Sequence, residues 1–571
     1  MRAGALPAAV AVALLAVACT APGGGDAAGR TEGAGTGGPG ASASPQATDG
    51  PRASASPATG GSLAERVCAV DRELLLRIAH GTRLDRSGEV QLLPREPSFV
   101  SGGLSHAGPW DYVQEVPMLW YGPGFVRPWV YRRPVTLADV APTQAALLRF
   151  PFEAPDGRPL TEALVAGRPV PRLVVTVVWD AAGRRVLETW PGAWPYLRSL
   201  ARRGASFERA TAGASPANTP PSHATIGTGA LPATNGVMDE YVRMGSAVFK
   251  PYDMGPGVLV RPTLADLYDR ARGNRPLVGA VATLDPHLGM MSHGSLWGGG
   301  DRDLAVTRQL EGSEKGGAEG FTWNLTTAMA PFYELPGYVN EVGGFEEDVR
   351  RLDQADGALD GRWRDNDIAA LAGGFDTPAR TPYQTRLVEE IVRREGFGDD
   401  RVPDLLFVNY KAIDTIGHRF SVNSPEMEEA IRAQDDALRE LVAFLDREVG
   451  PGRWVMVIVA DHGHQFDPAV SGAFLIDIDR VERALAERFD DGDGVPVVQR
   501  VRPTEVWLDL EELRGNGHTL ADVSRALMAL TKADTRKREA TLAPGEEGDP
   551  VFEAAFPTAL LRRLPCLEGE R

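Results

Sequence analysis

Short runs of Val, Leu and Ile recur along the chain, each followed by polar residues, as in buried parallel strands whose carboxyl ends open onto a site. Leu173 to Trp179 ends in Asp180, Leu277 to Leu284 in Asp285, Leu405 to Tyr410 leads to Asp414, and Trp454 to Ala460 ends in Asp461. Between these runs the apolar period lengthens to that of a helix. Pro425 to Val449 carries Met427, Ile431, Leu438, Leu441 and Leu445 at helical spacing, with Ser424 as N-cap and Pro425 in the first turn. The pattern predicts an α/β fold, doubly wound, with a mostly parallel central sheet and helices on both faces. Ligands of such sheets bind in the crevice at the carboxyl ends of the strands. Residues 298–379, rich in Gly, Trp and Asp with weak periodicity, read as a cap insertion over that edge. One more strand, Glu505 to Leu508, and a helix from about Leu520 to Leu530 with Thr519 as N-cap come after.

The start of the chain follows another rule. After Met1 and Arg2, Ala5 to Val17 is apolar, the length of a signal-peptide core and too short to span a bilayer. Leu15-Ala16-Val17-Ala18-Cys19 resembles a bacterial lipobox, in which Cys19 becomes the lipidated first residue; cleavage after Ala18 as an ordinary signal peptide is the alternative. From Thr20 to Ser62 the chain is Gly, Ala, Ser, Pro and Thr with almost no large apolar residue, a flexible tether. The expected organisation is a signal peptide with lipobox over 1–19, a linker over 20–62 and a single domain over 63–571. That domain would lie outside the cytoplasm, lipid-anchored to the outer face of the cell membrane or secreted, and would meet the membrane through the anchor only.

Composition narrows the chemistry. With 43% hydrophobic residues among 571, the chain can bury a large core. Its 77 acids against 60 bases give a net charge of -17, which disfavours a nucleic-acid surface. Three cysteines, Cys19, Cys68 and Cys566, exclude four-cysteine zinc and iron-sulfur sites, so any metal must sit on His and carboxylate. A Cys68–Cys566 bridge would tie the ends of the domain together in an oxidising compartment; two free buried thiols are the alternative.

Asp461-His462-Gly463 offers two adjacent ligands of different type after a buried strand, with Gly allowing a sharp turn. Asp414 and His418, four residues apart, share one side of a helical turn. Asp180 adds a third carboxylate at a strand end. Thr219-Pro220-Pro221-Ser222-His223 places a hydroxyl at a predicted helix start, where backbone amides can bind an anionic oxygen and a metal-bound hydroxyl can ionise and attack. Convergence of these pairs argues against simple turn chemistry.

In order and spacing, Asp180, then Thr219-Pro-Pro-Ser-His-Ala-Thr-Ile-Gly-Thr-Gly, Asp414-x-x-Gly-His418 and Ala460-Asp461-His462-Gly463 resemble the alkaline phosphatase superfamily, nearest its nucleotide pyrophosphatase/phosphodiesterase branch. The resemblance implies two divalent metal ions, of the zinc type. One would be held by Asp180, Asp461, His462 and the nucleophile Thr219, the other by Asp414, His418 and a further His. Relatives carry that last His near their carboxyl end, but its context appears here before the core, in Ser105-His106-Ala107-Gly108-Pro109-Trp110-Asp111-Tyr112 and the Tyr121-Gly122-Pro123-Gly124 and Asp139-Val-Ala-Pro142-Thr143 that follow. A circular permutation that moves the family's last block to residues 63–170 would make His106 the missing ligand. The implied activity is hydrolysis of phosphate esters, diesters or pyrophosphates preferred, through a phospho-threonine. The substrate would be small, with nucleotides and lipid head groups both admissible. Phosphomonoester hydrolysis and a metal-binding surface lipoprotein without turnover are the rival readings.

Two departures qualify the match. Glu240 stands where relatives have an Asn that donates to the transferred group, which leaves Asn235 as a substitute donor or Glu240 facing a cation. No Lys and Arg pair for clamping a terminal phosphate follows Leu277 to Leu284, where Asp285-Pro286-His287 stands instead. His287 and His293 are candidate substrate contacts. His223 reads as structural, His464 as a rim residue, and His80 and His518 as surface or cap residues. A sulfatase would need Cys or Ser in place of Thr219.

Overall fold

The computed structural model describes residues 61–291, 293–308, 322–538 and 540–569. Cys19, the apolar leader and residues 20–60 of the linker lie outside them. The main sheet has nine strands in the order Tyr333–Glu334, Asp303–Val306, Val278–Val281, Asp404–Tyr410, Leu173–Trp179, Trp454–Val459, Met118–Tyr121, Ala205–Thr211 and Trp129–Thr136. All neighbours run parallel except Met118–Tyr121, which is antiparallel to both strands beside it. Every residue of the three central strands is buried. Helices flank the sheet, so these strands read as continuous rather than alternating apolar runs.

Register fixes the position of the site. Leu173 pairs with both Asp404 and Trp454, and Trp179 lies opposite Tyr410. The three strands therefore end level, delivering Asp180, Lys411 and Asp461 to one edge. The long helix Pro425–Glu448 begins at Ser424, whose hydroxyl accepts the Met427 amide at 3.2 Å.

Residues 298–379 are not wholly a cap. Tyr333–Glu334 is an edge strand of the main sheet and Asp303–Val306 the strand beside it, and Trp323, Tyr333, Trp363 and Phe375 belong to its core. Runs of two to four strand residues are too short to carry a readable period.

The strand Glu505–Leu508 also lies elsewhere than in the main sheet. It joins a second, antiparallel sheet in the order Val498–Val501, Glu505–Leu508, Val90–Pro94 and Phe552–Pro557. This layer has its own core of Val90, Leu92, Leu485, Val506, Leu527 and Phe552, and the helix Leu520–Met528 is part of it, capped by Thr519 on the Asp522 amide. A third cluster gathers Leu75, Leu93, Trp110, Phe556 and Leu564 from both ends of the described chain, and there Cys68 is bonded to Cys566 with their Cα atoms 5.8 Å apart.

Candidate active site

At the level strand ends, two groups of donor atoms assemble. Asp180, Asp461 and His462 form one, and His106, Asp414 and His418 the other; within each, the ligand atoms lie within 4.8 Å of one another. His462 Nε2 is 3.3 Å from Asp461 Oδ2 and 3.7 Å from Asp180 Oδ1. Asp414 Oδ1 lies 3.4 Å from His106 Nε2 and 3.4 Å from His418 Nε2. The His106 and His462 rings stack with centroids 3.9 Å apart, which joins the groups into one site.

Local backbone orients each ring. His462 Nδ1 is 2.8 Å from the Gly463 carbonyl and His418 Nδ1 is 2.7 Å from the Leu104 carbonyl. Those contacts assign a proton to Nδ1 of each ring and turn Nε2 toward the carboxylates, the nitrogen that a bound cation would take. The glycines of both motifs are required by close packing. A Cβ at Gly463 would sit 2.2 Å from the Tyr112 carbonyl oxygen, and one at Gly417 2.8 Å from the His464 ring.

Thr219 is the first residue of the helix Thr219–Thr228, and its Oγ1 is 3.4 Å from His462 Nε2. The helix start itself has little to offer an anion, contrary to the expectation from the sequence. Pro220 and Pro221 have no N–H, and the Ser222 amide donates to the Asn218 carbonyl. Positive charge comes instead from Lys411, which sequence reasoning missed. Its Nζ is 3.1 Å from Asp180 Oδ2, 2.8 Å from Asp414 Oδ2 and 3.5 Å from Thr219 Oγ1. A lysine directly after a strand that leads to a metal-type carboxylate was the available signal.

Charges in this buried site act strongly on one another. Burial works to raise the Asp180 and Asp414 carboxyls, but Lys411 outweighs it and holds both below their usual range. Asp461 goes the other way, to about 7, through burial and the neighbouring Asp180 charge. Burial and the nearby His462 and His418 press His106 well below the usual imidazole value, while Asp414 overcomes burial at His418 and lifts it to about 9.

These residues fit a pair of cations on a structural test. Asp180 Oδ1, Asp414 Oδ1, Asp461 Oδ2 and His106 Nδ1 are buried without a hydrogen-bond partner. Orphaned oxygens at such density cost several kcal/mol unless a cation takes them up. Mixed carboxylate and imidazole donors suit zinc.

The remaining candidates fall in different places. His287 reaches Asp180, with Nε2 3.2 Å from Oδ2, and Asp180, His223 and His287 form a third close group. His223 orders the turn at Thr219 through Nδ1, 2.8 Å from the Thr219 carbonyl, and Nε2, 3.0 Å from Asn409 Nδ2. His464 is not on a rim: it is fully buried, with its ring centroid 5.1 Å from that of His418. His293 is engaged away from both cation groups, 2.6 Å from Asp266 and stacked on Trp297. Asn235 is spent on its own loop, donating to the Ala230 carbonyl and accepting the Val237 amide. Glu240 pairs with Arg502, whose guanidinium also faces Asp239. The cation expected beside Glu240 is therefore a residue of the same chain.

Fold and site together define an α/β protein with two adjacent groups of carboxylate and imidazole donors, each able to hold a cation, and a helix-start hydroxyl beside one of them. Residues 174–549 match the family type I phosphodiesterase / nucleotide pyrophosphatase, and the chain belongs to that family. It is 28% identical over 173 residues to a calcium-transporting ATPase of Myroides odoratus, covering 28% of this chain and 31% of that protein. Alkaline phosphatase PafA of Elizabethkingia meningoseptica is 24% identical over 195 residues, 33% of this chain and 34% of its own. Alkaline phosphatase PhoD of Zymomonas mobilis is 30% identical over 156 residues, 24% of this chain and 26% of its own. The chain thus spans about a third or less of these curated relatives. A crystal structure of alkaline phosphatase PafA superposes with a TM-score of 0.48 at 16% identity, covering 69% of this chain and 85% of that one.

Proposed function

We propose that this chain is an extracytoplasmic hydrolase of phosphate esters, with diesters or pyrophosphates preferred, acting through a phospho-threonine on Thr219. The observation that carries the reading is the Thr219 hydroxyl within reach of His462 and Lys411, at the meeting of the two cation groups. Asp180, Asp461, His462 and Thr219 would hold one divalent cation, and His106, Asp414 and His418 the other. Zinc ions there would supply Lewis-acid stabilisation of the attacking and leaving oxygens.

The chain's own residues do the rest. His223 fixes the Thr219 carbonyl and with it the direction of the side chain. Thr219 Oγ1 bonds to phosphorus as the ester P–O bond breaks, and water then cleaves the Thr219–phosphate bond. Lys411, itself largely buried, sets a fixed positive charge beside the oxygen that becomes anionic, where low polarity strengthens it.

A second reading is favoured by one observation. Lys411 at 3.5 Å from the nucleophile also suits the extra negative charge of a phosphomonoester. Hydrolysis of bis-p-nitrophenyl phosphate beside p-nitrophenyl phosphate, with Thr219→Ala as control, separates the two. Diester turnover that falls roughly a thousandfold or more in the variant supports the first reading. A monoester preference moves the substrate class and keeps the nucleophile. Turnover of neither ester above the variant leaves a metal-binding surface lipoprotein.

The disulfide Cys68–Cys566 supports a location outside the cytoplasm, where thiols oxidise. Anchoring through a lipid on Cys19 is part of the same proposal. His106 and the strand Met118–Tyr121 completing a site otherwise drawn from residues 180–462 supports the permuted order of the chain.

A further inference from the structure

A second cation site lies apart from the catalytic edge, where the helix Leu264–Ala271 meets the loop that enters the 298–379 segment. Asp269, Asp301 and Asp303 bring carboxylate oxygens within 4.8 Å of one another. Clustered acids alone decide nothing, since surface carboxylates often gather without a ligand. Here Asp269 is 95% buried, at 5% exposure, and its Oδ1 has no hydrogen-bond partner. The three acids line a cavity of about 10 Å³ together with Asp266, Arg270, Gly294 and Gly300. That is room for one ion or one water.

Two neighbouring arginines make contacts of their own. Arg270 lies over the Trp297 ring, and Arg302 donates to the Tyr333 and Ala330 carbonyls. Asp266 is already satisfied by Thr263 and His293. The backbone holds the cluster tight, because a Cβ at Gly300 would come within 2.8 Å of the Gly294 carbonyl oxygen. Burial and the Asp301 charge push the Asp269 carboxyl up to about 7.

We propose that Asp269, Asp301 and Asp303 form a site for a hard divalent cation of the calcium type, which pins the entry of the 298–379 segment to the helix Leu264–Ala271. Oxygen-only donors in a flexible loop favour calcium over zinc, and sites of extracellular proteins bind it with Kd of roughly 10⁻⁴–10⁻³ M. The site is independent of the catalytic cations, since it shares no residue with them.

Terbium luminescence tests it on the intact protein. Trp297 leads into the loop and is positioned to sensitise a lanthanide there, so terbium emission that calcium displaces is expected. Asp301→Asn, at an exposed position, should weaken terbium and calcium binding at least tenfold, and Trp297→Phe should lower the emission without lowering calcium affinity. Calcium should raise the unfolding temperature of the wild type and not that of Asp301→Asn. Calcium binding unchanged in Asp301→Asn overturns the proposal. So does an Asp269→Asn protein stabilised equally with calcium and with chelator, the mark of an acid pair that shares a proton instead of a cation.

Discussion

Replacing Lys411 by Met should destabilise the cation-free protein far more than the cation-loaded one. Its ammonium lies 3.1 Å from Asp180 and 2.8 Å from Asp414, buried among carboxylates. At an effective dielectric of about 20, those distances correspond to about 5 and about 6 kcal/mol of attraction. Desolvation of the three charges offsets much of that sum, and removing one partner of a buried pair costs about 3–5 kcal/mol. With cations bound, the same carboxylates have other partners, and the cost should largely vanish. Urea unfolding of wild type and Lys411→Met, each with chelator and with zinc, reads the difference directly. Equal destabilisation in both conditions, or none with chelator, would refute the view that Lys411 is the counter-charge of the empty carboxylate set.

Other outcomes follow from single contacts. Gly463→Ala forces a Cβ to 2.2 Å from the Tyr112 carbonyl, so stability should fall by about 1–3 kcal/mol in thermal melts and activity should fall with it as His462 moves. Burial and the Asp239 charge push the Glu505 carboxyl up to about 8. Its folded value exceeds the unfolded one, so the folded state loses stability as pH rises from the ordinary carboxyl range through about 8 and regains it as pH falls. Glu505→Gln should therefore flatten the pH dependence of stability between pH 5 and 9 on the alkaline side, read by unfolding midpoints. Joint Cys68→Ser and Cys566→Ser removes a closure across 498 residues, for which the chain-entropy relation sets a ceiling of about 6 kcal/mol, measurable as a lowered urea midpoint.

How much of this was legible depended on how locally each feature is encoded. Leu173–Trp179, Asp404–Tyr410 and Trp454–Val459 are buried on both faces and announce themselves as apolar runs, and the long helix carries both its period and its Ser424 cap. The cation groups were legible because strand ends place their ligands next to those runs. The second sheet was not, since Val90–Pro94 and Phe552–Pro557 pair across almost the whole chain and no local pattern records a partner. Lys411 was passed over, because its partners Asp180 and Asp414 come around it only through the level register of the strands. Asn235 and Glu240 looked like substrate groups because spacing says nothing of which neighbour a side chain meets; the structure gives them to a loop carbonyl and to Arg502.

The antiparallel strand Met118–Tyr121 has a consequence for the order of assembly. Both of its neighbours, Ala205–Thr211 and Trp454–Val459, are made after it, the second several hundred residues later. A growing chain therefore holds an apolar strand with one open edge until Trp454–Val459 is made, and His106 travels with it. Long-range pairing of this kind is slow and leaves sticky edges exposed meanwhile. A nascent chain kept unfolded until Trp454–Val459 has been made escapes that hazard, and His106 meets Asp414 and His418 only in a finished sheet.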